Sequence, residues 1–222
     1  MKHQDNDRLR IDLHVHTAYS YDGFTTVEQL STICQRRGIN GLAITDHDTL
    51  EAALLCKKSL PFEVIVGEEV TTASGHLIGL FLKHWIPPGL SVAETIDRIQ
   101  DQGGLVYLPH PFDRIRSGYM NPSELEELAN RFDMVEIFNS RNLFGDANHK
   151  ASAFAESHSL LRTVGTDAHI PHEVGRSSVE MRAFSGPDEF RVNLKHARLM
   201  TRRTPLGVRA LIKVRKKFAG IS

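Results

Sequence analysis

Seven short apolar segments recur along the chain, and most of the stretches between them have the spacing of helices. The segments span residues 11–17, 39–44, 62–66, 76–82, 105–108, 134–138 and 161–164. Strands that alternate with helices are typical of an α/β fold, in which the strands build a mostly parallel sheet. The sequence therefore predicts an α/β fold. With 222 residues the chain is most simply one domain with a substantial core.

Helix boundaries are marked between several of these segments. Capping-box patterns predict helices that begin near residues 25–28 and 91–94, and residues 48–51 offer another start. Two further helices are predicted over residues 123–131 and 149–158 from the spacing of their apolar residues.

Side chains that can bind metal ions follow most of the apolar segments. In a strand, residues i and i+2 face the same side, so His14 and His16 project together, and Asp167 and His169 repeat that spacing. One histidine pair in a polar loop would mean little, but similar residues recur at one strand end after another. The candidate ligands are His14, His16, Asp22, His47, Glu69, His76, His110, Asp167 and His169. These nitrogen and oxygen donors exceed the needs of one catalytic ion, which takes about three protein ligands.

The candidate ligands lie mainly at the C-terminal ends of the predicted strands, where a parallel β/α barrel assembles its active site. His76 is the exception, because it begins its segment. A hairpin of residues 64–70 with residues 77–82, turning at residues 73–75, would bring His76 back toward Glu69.

The formal net charge of zero conceals an asymmetry along the chain. Residues 1–189 carry 17 basic and 27 acidic side chains, whereas residues 190–222 carry ten basic and no acidic ones. This basic segment, predicted to be helical, can bind nucleic acid or anionic lipid. It can equally lie against the acidic body as a solvated helix face, and the sequence leaves both interpretations open.

In their order along the chain, these motifs resemble the PHP (polymerase and histidinol phosphatase) domain of metal-dependent phosphoesterases. The matching motifs are Asp12-Leu13-His14-Val15-His16-Thr17 with Asp22-Gly23, Thr45-Asp46-His47, Gly67-Glu68-Glu69, Gly75-His76-Leu77, His110-Pro111 and Gly165-Thr166-Asp167-Ala168-His169. Each motif alone is weak, but the ordered set is specific and spans most of the chain.

The resemblance implies a distorted seven-stranded (β/α)7 barrel with two or three divalent metal ions, which would be zinc, manganese or iron. By position in the motifs, one ion would be held by His14, His16, Glu69 and Asp167, a second by Glu69, His76 and His110, and a third by Asp22, His47 and His169. Asp167 and His169 are also the candidates for catalytic proton transfer. Glu69 is preferred to Glu68, because the family pattern is glycine, any residue, glutamate, and adjacent strand residues face opposite ways.

The function that follows is hydrolysis of a phosphate ester by a metal-activated hydroxide. Arg114 and Arg141 are candidate phosphate ligands, because guanidinium matches phosphate oxygens. The substrate would be a small phosphomonoester, a nucleotide or a short oligonucleotide. Two alternatives stay open: metal-dependent hydrolysis of an amide or carboxylic ester on the same barrel, and a non-catalytic metal-binding module.

The remaining features concern the environment of the protein. Cys34 and Cys56 are the two cysteines, and both lie in helix-like stretches, so a reducing cytoplasm is expected rather than a disulfide framework. The apolar runs are too short for a transmembrane helix, and the polar start is unlike a signal peptide. No stable protein partner is indicated.

Overall fold

The computed structural model describes residues 7–114, 118–142, 145–205 and 207–208. The strands in these ranges are β1 (Arg8–Val15), β2 (Gly41–Ile44), β3 (Glu63–Thr72), β4 (Gly75–Leu80), β5 (Leu105–Leu108), β6 (Met134–Asn139), β7 (Leu161–Gly165), β8 (Ser178–Arg182) and β9 (Arg198–Met200). The α-helices are α1 (Val27–Arg37), α2 (Glu51–Ser59), α3 (Val92–Gln100), α4 (Pro122–Glu127), α5 (Gly145–Ser157) and α6 (Pro187–Leu194).

All of these strands belong to one sheet, in the order β7-β6-β5-β4-β3-β2-β1-β8-β9. Neighbours are parallel except at β3–β4, β4–β5, β1–β8 and β8–β9, which are antiparallel. The sheet curls so that β7 returns to β1, where His16 N donates to Ala168 O at 2.9 Å and Asp167 N donates to His14 O at 2.9 Å. The predicted α/β barrel is thereby confirmed, with β8 and β9 added to the seven predicted strands outside the closure.

Asp12 ties this closure together from inside the protein. Its carboxylate accepts hydrogen bonds from Thr166 N at 3.1 Å, Thr166 Oγ1 at 2.5 Å and Gly175 N at 2.7 Å. Burial raises the pKa of Asp12 to about 6, although these hydrogen bonds oppose the shift. One carboxylate therefore joins β1, the end of β7 and the loop that leads to β8.

The predicted helix start at residues 91–94 is confirmed, with Ser91 and Glu94 forming a complete capping box on α3. The box predicted over residues 25–28 is shifted by one residue, because Thr26 caps α1 together with Gln29. The cap predicted for a helix start at residues 48–51 is wrong, because α2 begins at Glu51 after Leu50 and no side chain caps it. The carboxylate of Asp48 instead accepts from Thr71 N at 2.7 Å and Thr71 Oγ1 at 2.9 Å, which holds β3.

Three other predicted boundaries also change. The helix predicted over 123–131 divides into α4 and a 3₁₀ turn at Ala129–Arg131, and α5 begins at Gly145, ahead of the predicted 149. Within the basic segment at 190–222, the helical prediction is wrong for Arg198–Met200, which pair with β8 as β9. Residue 206 and residues 209–222 of that segment lie outside the described residues.

The core divides between the two faces of the sheet. Along β2, Leu42 and Ile44 pack with the helices, whereas Ala43 packs in a separate cluster with residues of β1 and β3. Cys34 and Cys56 are buried free thiols under the helices on the first of these faces. Among the described residues, none of the helices has the length and apolar composition of a transmembrane span.

Candidate metal centre

The structure brings all nine predicted ligands together at the C-terminal end of the barrel. Each of these side chains is buried, and none is more than 9% exposed. Their donor atoms form four overlapping groups, within each of which all atoms lie within 4.8 Å of one another. The groups are His16, Asp22, His47 and His169; His14, His16 and Glu69; His14, His110 and Asp167; and His47, Glu69 and His76.

Glu69 lies at the middle of these groups and presents its two oxygens to different histidines. Oε2 lies 3.1 Å from His14 Nε2 and 3.0 Å from His16 Nε2. Oε1 lies 3.0 Å from His76 Nδ1 and 3.1 Å from His110 Nε2. A carboxylate divided in this way has the geometry of a bridge between two cations.

The first cluster is built by the two i, i+2 pairs at the ends of β1 and β7. His14 Nε2 and His16 Nε2 lie 3.1 Å apart, and Asp167 Oδ1 lies 3.5 Å from His16 Nε2. Because β1 and β7 meet at the closure, residues distant in sequence become neighbours here.

The hairpin prediction for His76 is confirmed by the strand register. Residues Thr71 and His76 are directly opposite each other in the β3–β4 pair, and Glu69 is opposite Ile78. His76 therefore stands on the same face of the hairpin as Glu69, and its Nδ1 reaches Glu69 Oε1.

A further cluster is formed by Asp22, His47 and His169. His169 Nε2 lies 2.7 Å from Asp22 Oδ2, and His47 Nε2 lies 4.0 Å from Asp22 Oδ1 and 3.7 Å from Glu69 Oε2. Asp22 arrives from the loop after β1, which is held by a hydrogen bond from Phe24 N to His169 O at 2.7 Å.

Two of the site residues have left-handed backbones. The φ angles are +30° for His110 and +54° for Asp167, in a region that side chains other than glycine rarely occupy. Such conformations cost on the order of 1–3 kcal/mol and persist where surrounding structure enforces them. Here they turn each side chain back over the end of its strand toward the other ligands.

Glu136 is the functional residue that the sequence prediction missed. It lies on β6, is fully buried, and accepts from His14 Nδ1 at 3.1 Å, Tyr107 OH at 2.9 Å and His110 N at 2.9 Å. A Cβ at Gly165 would collide with Glu136 Oε1, which explains why glycine opens the Gly165–His169 motif. The available signal was an acidic residue in the middle of an otherwise apolar strand.

The charges in the cluster support a site built for cations. Burial disfavours the imidazolium of His14, but Glu69 and Glu136 outweigh it and raise the pKa of His14 to about 9. Burial would raise the pKa of Glu69, yet His47 and His14 hold it well below its usual value. Burial lowers the pKa of His47 to about 3 and also keeps that of His169 well below its usual range.

The donor set fits divalent metal ions. Three carboxylates and six imidazoles converge with no thiolate, a chemistry that suits zinc, manganese or iron. His14 Nδ1 faces Glu136, so its Nε2 is directed at the other donors, as in a histidine oriented to bind metal. An ion there would take the place of the proton that His14 otherwise holds.

The two predicted phosphate ligands have different surroundings. Arg141 is 16% exposed, and its Nη1 lies 2.5 Å from His169 Nδ1 and 3.5 Å from Asp167 Oδ1. Arg114 is exposed, with its guanidinium carbon 5.7 Å from the ring centroid of Tyr119. Arg141 therefore contacts two of the nine candidate ligands, whereas the described contact of Arg114 is with Tyr119.

Glu68 points away from the cluster, as its place next to Glu69 on β3 predicts. Its Oε2 accepts from Ile86 N at 3.1 Å, and its Oε1 has no hydrogen-bond partner among the described residues. Burial raises the pKa of Glu68 to about 8. Glu68 is therefore protonated in the folded protein at neutral pH.

We expect Glu68→Gln to gain stability relative to the native chain as the pH rises. In the unfolded chain a glutamate titrates near about pH 4.3. Between that pH and about 8, the folded state keeps a proton that the unfolded state has lost, so native stability falls across this window. Glutamine does not titrate, so the difference in free energy of unfolding, variant minus native, should rise by about 2–4 kcal/mol from about pH 5 to about pH 9. Urea denaturation of the metal-free proteins measures it, and a pH-independent difference would contradict the expectation.

Comparison with known proteins places the chain among homologues. Residues 12–157 match the PHP domain family, and residues 145–199 match the PHP-associated family. The chain is 39% identical over 175 residues to the uncharacterized protein MJ0417 of Methanocaldococcus jannaschii, covering 78% of this chain and 70% of that protein.

Two solved structures share the fold at low sequence identity. One is a two-domain protein from Bacteroides vulgatus containing a predicted PHP-like metal-dependent phosphoesterase, 19% identical with a TM-score of 0.68 over 87% of this chain. The chain spans 65% of the length of that structure. The other is an amidohydrolase from Chromobacterium violaceum, 16% identical with a TM-score of 0.57, covering 92% of this chain and 96% of that one. At such identities the likeness shows the fold alone.

Proposed function

Because this chain belongs to the PHP domain family, we propose that it is a metal-dependent phosphoesterase whose nine buried donors hold two or three divalent ions. The observation that carries the proposal is the placement of the Glu69 carboxylate, whose two oxygens each lie about 3 Å from a different pair of histidines. Adjacent cations that share one bridging carboxylate suit a substrate with several negatively charged oxygens around one atom, and a phosphoryl group is such a substrate.

The metal ions, when bound, would neutralise charge on the phosphoryl oxygens and lower the pKa of the attacking water. His14, His16, Glu69 and Asp167 would hold the first ion, Glu69, His76 and His110 the second, and Asp22, His47 and His169 the third. Asp167 and His169 lie 3.3 Å apart from Oδ1 to Nδ1, so a proton could pass between them. Their place among the other donors favours metal binding as the main role of both.

Arg141 is the residue that we assign to the phosphate itself. Its guanidinium lies beside His169 and Asp167 at the edge of the cluster, and Glu173 Oε1 lies 3.7 Å from its Nε. A planar guanidinium held from one side can present its remaining N–H groups to phosphate oxygens. The exposed Arg114 remains a second candidate.

The complete ligand set supports an enzyme rather than a non-catalytic module. All nine predicted ligands are present and converge, and a module that had lost catalysis would not need to keep three carboxylates beside six buried imidazoles. The likeness to an amidohydrolase concerns the fold, and the amide or ester alternative has no further support among the described residues.

The proposal is tested by metal analysis followed by a substrate screen. Purified protein is assayed for zinc, manganese and iron, then offered phosphomonoesters, nucleotides and oligonucleotides with each metal, alongside amides and carboxylic esters. We expect metal-dependent phosphoester hydrolysis, seen as inorganic phosphate released from monoesters or as shortened strands and nucleotides released from oligonucleotides. Release of acid or amine without any phosphoester hydrolysis would contradict the proposal, and so would full metal loading without any turnover.

We expect Arg141→Lys to lower kcat/KM by about tenfold, because lysine keeps the charge but loses the paired N–H groups. Steady-state kinetics on the best phosphoester measures the change, with metal content determined in parallel. Arg114→Lys is the matched comparison at the other candidate position. A normal kcat/KM for Arg141→Lys, with the loss found at Arg114→Lys, would transfer the phosphate role to Arg114.

A further inference from the structure

Four arginines form a second charged feature, separate from the nine donors. We call Arg37, Arg176, Arg202 and Arg203 the arginine surface. Arg37, at the end of α1, donates to Val174 O at 2.5 Å and His172 O at 2.9 Å. Arg176 Nε donates to Arg203 O at 3.5 Å. These bonds fix the Arg37 side chain on the loop that carries Arg176, and Arg176 on the segment that carries Arg202 and Arg203.

The positive charge of this surface is only partly offset by carboxylates, because Glu173 raises the pKa of Arg176 by less than burial and Arg202 lower it. Among the described residues, none of its four guanidinium groups forms an ion pair with Asp or Glu, whereas Arg131 pairs with Asp97 and Arg191 pairs with Asp133. Burial and then the nearby guanidinium groups of Arg176 and Arg202 lower the pKa of Arg37. Like charges held together in this way favour an anionic ligand.

The arginine surface is connected to the metal centre by two short routes. Arg176 follows His169 by seven residues, a reach of no more than about 25 Å. On the other side, the chain continues from Arg203 to Thr204, whose N donates to Ser140 O at 2.8 Å. Ser140 precedes Arg141, which touches His169. These connections limit the separation of the two features, so a single strand with one phosphate at the metal centre can reach these arginines.

We propose that the arginine surface binds the phosphate backbone of a single-stranded nucleic acid whose reacting phosphoester lies at the metal centre. The inference rests on the proposed phosphoesterase function and narrows its substrate class to oligonucleotides. Guanidinium groups pair with phosphodiester oxygens in two hydrogen bonds, and such pairs supply most of the sequence-independent affinity for nucleic acid.

An anionic membrane is a less suitable ligand for the arginine surface than a nucleic acid is. Membrane-surface binding combines basic residues with apolar side chains that enter the lipid. In the described residues, the segments 170–177 and 198–205 carry no exposed large apolar side chain. An exposed aromatic ring instead lies against one of the candidate ligands: Tyr21 is 57% exposed and stacks on His47 with 4.9 Å between the ring centroids. A ring open on one face offers a base a place to stack.

The test measures binding without hydrolysis. Metal-free protein in EDTA is titrated against a fluorescein-labelled single strand of about 12 nucleotides, a length within the usual site sizes, by fluorescence anisotropy at several salt concentrations. The variant is Arg202→Gln with Arg203→Gln, whose side chains are exposed. Each phosphate that a cation neutralises on a single strand adds about 0.7 to the slope of log affinity against log salt. We expect the slope of this double variant to be shallower than the native slope by about 1.4.

The matched control is Arg131→Gln with Arg191→Gln, which removes two charges from ion-paired sites elsewhere. We expect this control to keep the native salt slope. Equal slopes for both double variants, or no saturable binding of the strand by the native chain, would overturn the proposal. The proposal would also be overturned if the double variant at Arg202 and Arg203 lost binding to vesicles containing phosphatidylserine but kept binding to the strand. Metal-loaded native protein that binds the strand but does not cleave it, and hydrolyses no other phosphoester, would contradict the proposed activity while the binding role of the arginine surface would stand.

Discussion

Replacing Glu69 with glutamine is expected to lower phosphoester turnover by about 10³-fold and to reduce the bound metal. A metal centre supplies several kcal/mol of charge stabilisation, and about 4 kcal/mol corresponds to about 10³-fold in rate. Glu69 provides an oxygen to each of two histidine pairs, so one substitution weakens two adjacent positions. Glutamine keeps the shape but carries no charge and can offer one oxygen, whereas its amide nitrogen repels a cation.

Glu68→Gln is the matched control for that experiment. It makes the same substitution at the adjacent residue of the same strand, where the carboxyl group is protonated and faces Ile86 rather than the cluster. We expect Glu68→Gln to retain native metal content and turnover. Metal analysis, steady-state kinetics and circular dichroism on both variants separate a lost site from a lost fold. Native metal content and turnover in Glu69→Gln would refute the bridging assignment.

The nine candidate ligands could be predicted because their information is local. The i, i+2 spacing of His14 with His16 indicates a shared face at the end of β1 without any knowledge of the rest of the fold. The same spacing marks Asp167 and His169 as candidates, but they follow the end of β7, and Asp167 has a left-handed backbone rather than that of a strand. His76 needed one further step, because its approach to Glu69 depends on the turn between β3 and β4, which residues 73–75 signal. The parallel order of strands then carries the remaining donors to the same end of the barrel.

Residues that act through other residues were less accessible to prediction. Asp12 lies in a recognised motif, yet its hydrogen bonds to Thr166 and Gly175 depend on the barrel closing. Asp48 has the spacing of a helix cap, but its carboxylate binds Thr71 on β3 instead. β9 was predicted as part of a helix because its basic composition says little about pairing, and the available edge of β8 decides its conformation.

Glu136 offers the second large effect, because it orients a ligand without being one. It is fully buried, and although burial opposes ionisation, His14 and then His110 hold the pKa of Glu136 at about 2. Besides His14 and His110 it accepts from Tyr107 OH and from Asn139 Nδ2 at 2.8 Å, so its position is fixed from several sides. Outer carboxylates that orient a metal-binding histidine are typically worth about 10–100-fold in metal affinity.

We therefore expect Glu136→Gln to weaken metal binding by about 10–100-fold. The substitution also has an opposing effect, because it lowers the pKa of His14 from about 9, and the His14 proton then competes less with the metal ion. This effect is smaller, because a doubly charged ion loses more attraction than a single proton does when the Glu136 charge is removed. Tyr107→Phe, which removes one of the hydrogen bonds to Glu136 and leaves its charge, should have a weaker effect in the same direction. Competition with a chelator measures the affinity, and NMR titration of the His14 imidazole in the metal-free protein reports the loss of the neighbouring charge. If the pKa of His14 falls while metal affinity stays native, Glu136 supports the fold but does not position the ligand.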